Sequence, residues 1–363
     1  MNLRSRFLAA LSVLALLLAA CGGSGDATTT TAAPATTSTM PVPEAMAISY
    51  DLQAGQTYTF ELEMNQTMEL TTTGDTTAME EEGLPGNMVM TVSGPTLITY
   101  EVADGPDPDT YEITITSDLS GLEFDVAIDG ETAEPGDLPD FAELEPQETT
   151  IVVDKQGKPI GGDPMTEDPF SGIFGGFDPG TMGDFGSSGL NPTQFFGPAL
   201  PDEEVTVGDS WTDTTEIPLF GDDKVTTTVT STIDRVEELD GKEAMVIETT
   251  ISTSEIEFDM AEFILALFEG FFPEDPSEED LAQLEELRNS LRFLFHVDAS
   301  ETGMTTWFDP EAGMALRSEM SGENRMAMDA NVPDEATGEM VAFTLDMKVS
   351  SDMTYRLVEA PGA

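Results

Sequence analysis

The chain has 363 residues, with 71 Asp and Glu against 13 Lys and Arg, for a formal net charge of −58. A field of that sign repels nucleic acid and anionic headgroups and argues against both as ligands. One cysteine leaves no internal disulfide framework, and one histidine gives a Ser-His-Asp triad a single possible base.

Residues 1–20 read as a lipoprotein signal peptide. Arg4 and Arg6 supply a positive start and Phe7 to Leu18 an apolar stretch. That stretch is too short for a bilayer core, which needs about 20 apolar residues, and has the length and flanks of a secretory signal. Leu18-Ala19-Ala20-Cys21 resembles the lipobox of bacterial lipoproteins. The resemblance implies cleavage between Ala20 and Cys21, with the thiol of Cys21 carrying a diacylglycerol. Residues 21–44, rich in Gly, Ser, Thr, Ala and Pro, bury too little apolar surface to offset ordering and are expected to form a disordered tether. Its root-mean-square reach is about 25 Å.

From residue 45 onward the sequence is written mainly in period two. Tyr58, Phe60, Leu62, Met64, Met68 and Leu70 share a parity that only Gln66 breaks. Met88, Met90, Val92, Ile98, Tyr100 and Val102 form a second run; Tyr111, Ile113 and Ile115 a third. Leu122, Phe124, Val126 and Ile128 follow a parity shift near Ser120-Gly121, which suggests a bulge. Val341 to Leu357 alternates most cleanly of all. Alternation of this kind predicts antiparallel sheet with one apolar and one wet face. The runs far exceed the usual strand of about 5–6 residues, and long strands twist and coil. The expected fold is mainly β, with long curved antiparallel strands forming a half-barrel or paired curved sheets.

A repeat is visible as well. Ala54-Gly55-Gln56-Thr57-Tyr58-Thr59 matches Val207-Gly208-Asp209-Ser210-Trp211-Thr212. Each is followed by a Thr-rich region, a turn at Asp104-Gly105 or Asp240-Gly241, and an apolar strand ending in an Asp-to-Gly turn, at Asp154 to Gly157 or Asp309 to Gly313. The matched order predicts two related halves, residues 45–159 and 202–363, joined by a Gly/Phe/Pro-rich loop over 160–201. A helical insertion is expected over about 258–295. There Phe263, Ile264, Leu265, Leu267, Phe268 and Phe271 crowd one segment, and Ser277 opens a capping box before leucines at helical spacing. Phe263, Leu267, Phe268 and Phe271 are the candidate ligand-binding residues, as a lid over a lipid-sized cavity or a plug of the core.

No catalytic residue and no cofactor is assigned. His296 follows Phe293-Leu294-Phe295 and reads as a structural residue at a helix end. Gly186-Ser187-Ser188-Gly189 lacks the spacing of a nucleophile elbow. Asp104, Asp107 and Asp109 share one turn without the EF-hand order, so no metal site is assigned and divalent cations associate weakly at most. Met64/Met68, Met88/Met90 and Met326/Met328 are thioether pairs, yet their parity is that of core positions.

The lipobox, the tether and the stretches AGQTYTFELEMNQTM, LPDEEVTVGDSWTD and TTWFDPEAGMALRSEMSGENRMAM together resemble an uncharacterised family of bacterial surface lipoproteins. More distantly, the expected architecture is similar to lipoprotein-carrier half-barrels and to lipid-binding lipoproteins of actinobacteria. That similarity implies a curved sheet holding acyl chains. The reading is a non-enzymatic protein, lipid-anchored on the extracytoplasmic face of the cell membrane, whose partner is a hydrophobic envelope molecule. The alternative is a structural or adhesive module that meets wall polymer or protein, and a third is an envelope hydrolase.

Overall fold

The computed structural model describes residues 45–74, 86–132, 146–163, 197–218, 224–259, 292–333 and 340–359. Up to residue 163 these form β1 (Thr57–Gly74), β2 (Asn87–Asp104), β3 (Thr110–Asp118), β4 (Glu123–Ile128), β5 (Glu131–Thr132), β6 (Gln147–Asp154) and β7 (Pro159–Asp163). Beyond it come β8 (Ser210–Pro218), β9 (Lys224–Leu239), β10 (Lys242–Thr253), β11 (Ile256–Asp259) and β12 (Arg292–Val297). The last are β13 (Ser300–Asp309), β14 (Met314–Pro333) and β15 (Met340–Glu359). All 15 lie in one antiparallel sheet, with the path β7-β6-β3-β2-β1-β15-β14-β13-β10-β9-β8. The expectation of long alternating antiparallel strands is met, with β14 and β15 each running 20 residues.

Both ends of the path follow one order. From β1 outward the sheet runs 1-2-3-6-7, and from β8 inward it runs 8-9-10-13-14, with β15 between β14 and β1. The matched turns adopt the same hydrogen bonds. Gly55 (φ 80°) donates its N–H to the Val102 carbonyl, and the Val102 N–H returns to Gln56. Gly208 (φ 95°) donates to Ile233, whose N–H returns to Asp209. In the second pair, the Asp154 carboxylate accepts from the N–H groups of Gln156 and Lys158. The Asp309 carboxylate does the same for Glu311 and Ala312. Each loop ends on a glycine of positive φ, Gly157 (78°) and Gly313 (61°), a conformation glycine adopts without steric cost.

Two segments outside the strands cover one end of the apolar face. Residues 46–52 pass between the two Asx turns: the Tyr50 N–H donates to Lys155 O at 2.7 Å and the Asp51 N–H to Gly313 O at 2.9 Å. Residues 197–205 lie beside them, where Leu200 N–H donates to Gln156 O and Met46 pairs with Val205. Ile48, Tyr50, Leu52, Leu200 and Val205 pack there against Phe60, Tyr100, Ile113, Ile233 and Phe308. This core is filled: the void beneath Tyr50 and Leu52 measures about 10 Å³. Crowding at Gly313 follows, because an added Cβ would sit 2.6 Å from the Asp51 nitrogen. Gly313→Ala should therefore cost more than Gly241→Ala. Gly241 shares the positive φ but meets nothing within 4 Å, so about 1 kcal/mol is expected there. Thermal melts of the two variants check this, and equal shifts would refute the close approach.

The structure corrects several expectations. Phe258 and Asp259 belong to β11, and Arg292 to Phe295 to β12, which pair with each other; those ends of the proposed helical insertion are strand. Short apolar runs are ambiguous between the two periods, and pairing of β12 with β14 decides it. The remainder, 260–291, lies outside the described residues, together with Phe263, Leu267, Phe268 and Phe271. His296 is accordingly a strand residue and not a helix end. The parity shift near Ser120 is a 3-10 turn, Leu119–Gly121, instead of a bulge. It lets β3 and β4 occupy successive stretches of the same edge of β2. Within the stretch read as a connecting loop, Ile160 to Asp163 belong to β7 and Leu200 to the core.

Candidate functional site

Away from that core, the same face of the sheet is lined with methionine. Each strand presents alternate residues to it, and the register sets which ones meet. Met304, Met320, Met353 and Met64 stand in one row across β13, β14, β15 and β1. Two rows further on, Met68 and Met90 are partners, and beyond them Met326 faces Met347 while Leu70 faces Met88. With Met328 opposite Leu345, ten of the 20 methionines occupy this region. Met68, Met304, Met326, Met328 and Met347 are buried; Met64, Met88, Met90, Met320 and Met353 are half-buried. Directly opposite side chains in a sheet lie about 4.5–5.5 Å apart at Cβ, so neighbouring thioethers within a row are within packing distance of one another.

A polar belt crosses this surface. Thr302, Gly322, Ser351 and Gln66 are successive partners, which places the Gln66 that interrupts the alternation of β1 in a row of its own kind. Next to it is Asn324, opposite Val349 and 1% exposed. Two residues before Thr302, on β13, Ser300 is 6% exposed. Neither Asn324 Nδ2, Asn324 Oδ1 nor Ser300 Oγ has a hydrogen-bond partner. Other buried hydroxyls of the same face are paired, Ser231 with Thr249 at 2.9 Å and Thr306 with Ser318 at 3.1 Å.

The opposite face is wet. A trough of about 540 Å³ crosses β10, β13, β14 and β15, lined by three consecutive residues of each strand. Its walls are the row Glu248, Thr305, Glu319, Thr354 and the row Thr250, Gly303, Ser321, Asp352. Nearby, Lys348 first and Arg325 second hold the Glu323 carboxyl below the usual carboxylate range.

The other candidates from the sequence are dispersed. Asp109 is bound by Lys155 at 2.5 Å, and Asp107 takes part in the β2–β3 turn through its N–H and carbonyl with Thr110. No three His, Cys, Asp or Glu side chains gather for a metal among the described residues. His296 Nε2 lies 2.9 Å from Asp298 and is ringed by Glu255 and Glu257. Ala20 and Cys21 lie outside the described residues, and no helix among those residues is long and apolar enough to cross a membrane.

No family model and no curated protein matches the chain. Among solved structures, OccK5 (OpdH) of Pseudomonas aeruginosa is similar at 6% identity and TM-score 0.20, over 83% of this chain and 99% of that one. An outer membrane channel of Pseudomonas putida F1 is similar at 10% identity and TM-score 0.16, over 85% and 97%. Likeness at this level carries no argument about fold or function.

Proposed function

We propose that this is a lipid-anchored extracytoplasmic protein that binds a hydrophobic cell-envelope molecule on its methionine-lined face, on a curved half-barrel built from two copies of one unit. The observation that carries the reading is the assembly of ten methionines, from five strands, on one face beyond the filled core. Thioether side chains are flexible and polarizable, and suit a surface that must fit apolar chains of differing shape. Packed Leu or Ile would serve a fixed core better, and the filled core is built mainly from Tyr, Phe, Ile, Leu and Val, with Met245 and Met314 its two buried methionines. The anchor reading rests on Leu18-Ala19-Ala20-Cys21.

Two measurements test it. Metabolic labelling with a fatty acid should mark the wild type and not Cys21→Ser, because the thiolate is the group modified; equal labelling ends the lipoprotein reading. Mass spectrometry of the protein purified from its own membrane should find a stoichiometric hydrophobic passenger; a passenger-free protein that takes up no apolar probe ends the binding reading. The wet trough favours a second reading, the adhesive module. Its hydroxyl and carboxylate walls run across four strands and suit an extended, hydroxyl-rich wall polymer.

A further inference from the structure

We infer that Asn324 and Ser300 are the polar end of the ligand site, and that the ligand is an amphiphile with an uncharged, oxygen-bearing head, an acylglycerol in chemical class. The inference rests on the reading of the methionine-lined face as a binding surface.

Buried polar groups in folded proteins are almost always hydrogen-bonded, and one left unmet carries its full desolvation penalty. Of the four unpartnered buried side-chain atoms among the described residues, three belong to Asn324 and Ser300; the fourth is Arg317 Nε. Both lie close to the Thr302–Gly322 pair, Ser300 two residues before Thr302 on β13 and Asn324 two residues after Gly322 on β14. Thus the unmet donors and acceptors form one locus, flanked by Met304 and Met320 on one side and Met326 on the other. An apolar ligand would leave them unmet. A polar head beside an apolar chain meets both requirements.

The kind of head follows from the inventory of groups. The Asn amide offers two N–H donors and a carbonyl acceptor, and the Ser hydroxyl does both. An ester carbonyl would accept from Asn324 Nδ2, while a free hydroxyl would donate to Asn324 Oδ1 or Ser300 Oγ. Among the described residues no Lys or Arg shares this face with Asn324, and the chain's net charge of −58 repels an anionic head. A cationic head would find neutral partners only, in a buried setting where an unpaired charge is strongly disfavoured.

The test uses the full chain in the membranes that carry it. A monoacylglycerol with a diazirine in its tail and a diazirine alkane of equal chain length are photolysed at sub-saturating concentration, and the label is located on peptides bearing Met304, Met320 and Met353. The acylglycerol should label these peptides roughly tenfold more than the alkane, as one or two added hydrogen bonds imply. Asn324→Leu should remove that preference, leave alkane labelling unchanged, and keep or raise the melting temperature because an unmet amide is gone. Ser300→Ala, a smaller change that retains the fold, should reduce the preference part of the way. Labelling by neither probe refutes the hydrophobe-binding reading as a whole. Equal labelling by both, or a preference that survives both substitutions, overturns this inference alone and leaves the face a non-selective one. A stabilised Asn324→Leu with unchanged acylglycerol preference assigns the locus to bound water and overturns it too.

Discussion

Replacing Tyr50 by alanine should lower the unfolding free energy by about 3–5 kcal/mol, the range for deleting a large buried aromatic side chain. Tyr50 is 2% exposed although it lies outside every strand. Its ring meets Phe308 edge-on at 5.6 Å and lies where a Cβ on Gly157 would fall, 2.5 Å from Cε2. Its hydroxyl donates to Pro198 O at 3.0 Å. One side chain thus joins residues 46–52 to the turn after β6, to β13 and to the segment leading to β8. Tyr50→Phe keeps the ring and removes one neutral hydrogen bond, so about 1 kcal/mol is expected. Denaturant titrations of both variants give the comparison. A loss below 1 kcal/mol for the alanine variant would mean that residues 46–52 merely rest on the sheet.

Stability should fall steeply above pH 10. Burial pushes the phenols of Tyr50, Tyr100 and Tyr355 well above their ordinary value. Tyr355 donates its hydroxyl to Tyr100, and Phe60 stacks on Tyr355 at 4.5 Å while meeting Tyr100 at 5.1 Å. An unfolded chain releases phenolic protons near pH 10, whereas the folded one retains these three. Their contribution is therefore complete below pH 10 and is lost as the pH rises above it. Each group contributes about 1.4 kcal/mol per pH unit, about 4 kcal/mol for the three. Denaturant titrations at pH 10.5, 11 and 11.5, where the unfolded phenols are mostly ionised, measure the slope, and Tyr355→Phe should reduce it by about a third. Absorbance of phenolate from these tyrosines in a protein that stays folded would sink the prediction.

Much of the sheet was legible residue by residue. The alternation from Val341 to Leu357 lies within the observed β15 (Met340–Glu359), and the run from Tyr58 to Leu70 lies within β1. Side chains of period two with one apolar parity have a single arrangement that buries them, and no neighbour is needed to recognise it. Phe293 to Phe295 shows the opposite case. Consecutive apolar residues satisfy a buried strand and a buried helix equally, and only the edge of β14 available for pairing selects the strand.

Composition and local pattern alone determined the class of fold, the apolar parity of each long strand, the turn glycines at Gly55, Gly157, Gly208 and Gly313, and the expectation of a lipid anchor at Cys21. All of these depend on a few neighbouring residues and their intrinsic preferences. The methionine rows and the Asn324–Ser300 locus were decided only by tertiary structure. Met64 and Met353 are remote in the chain and adjacent in the sheet, and Asn324 within SGENRMAM looks like any polar strand residue until its burial is known. Register between strands that are distant in sequence is a global property of the sheet. It fixes which side chains share a row, and so which polar atoms are left without a partner.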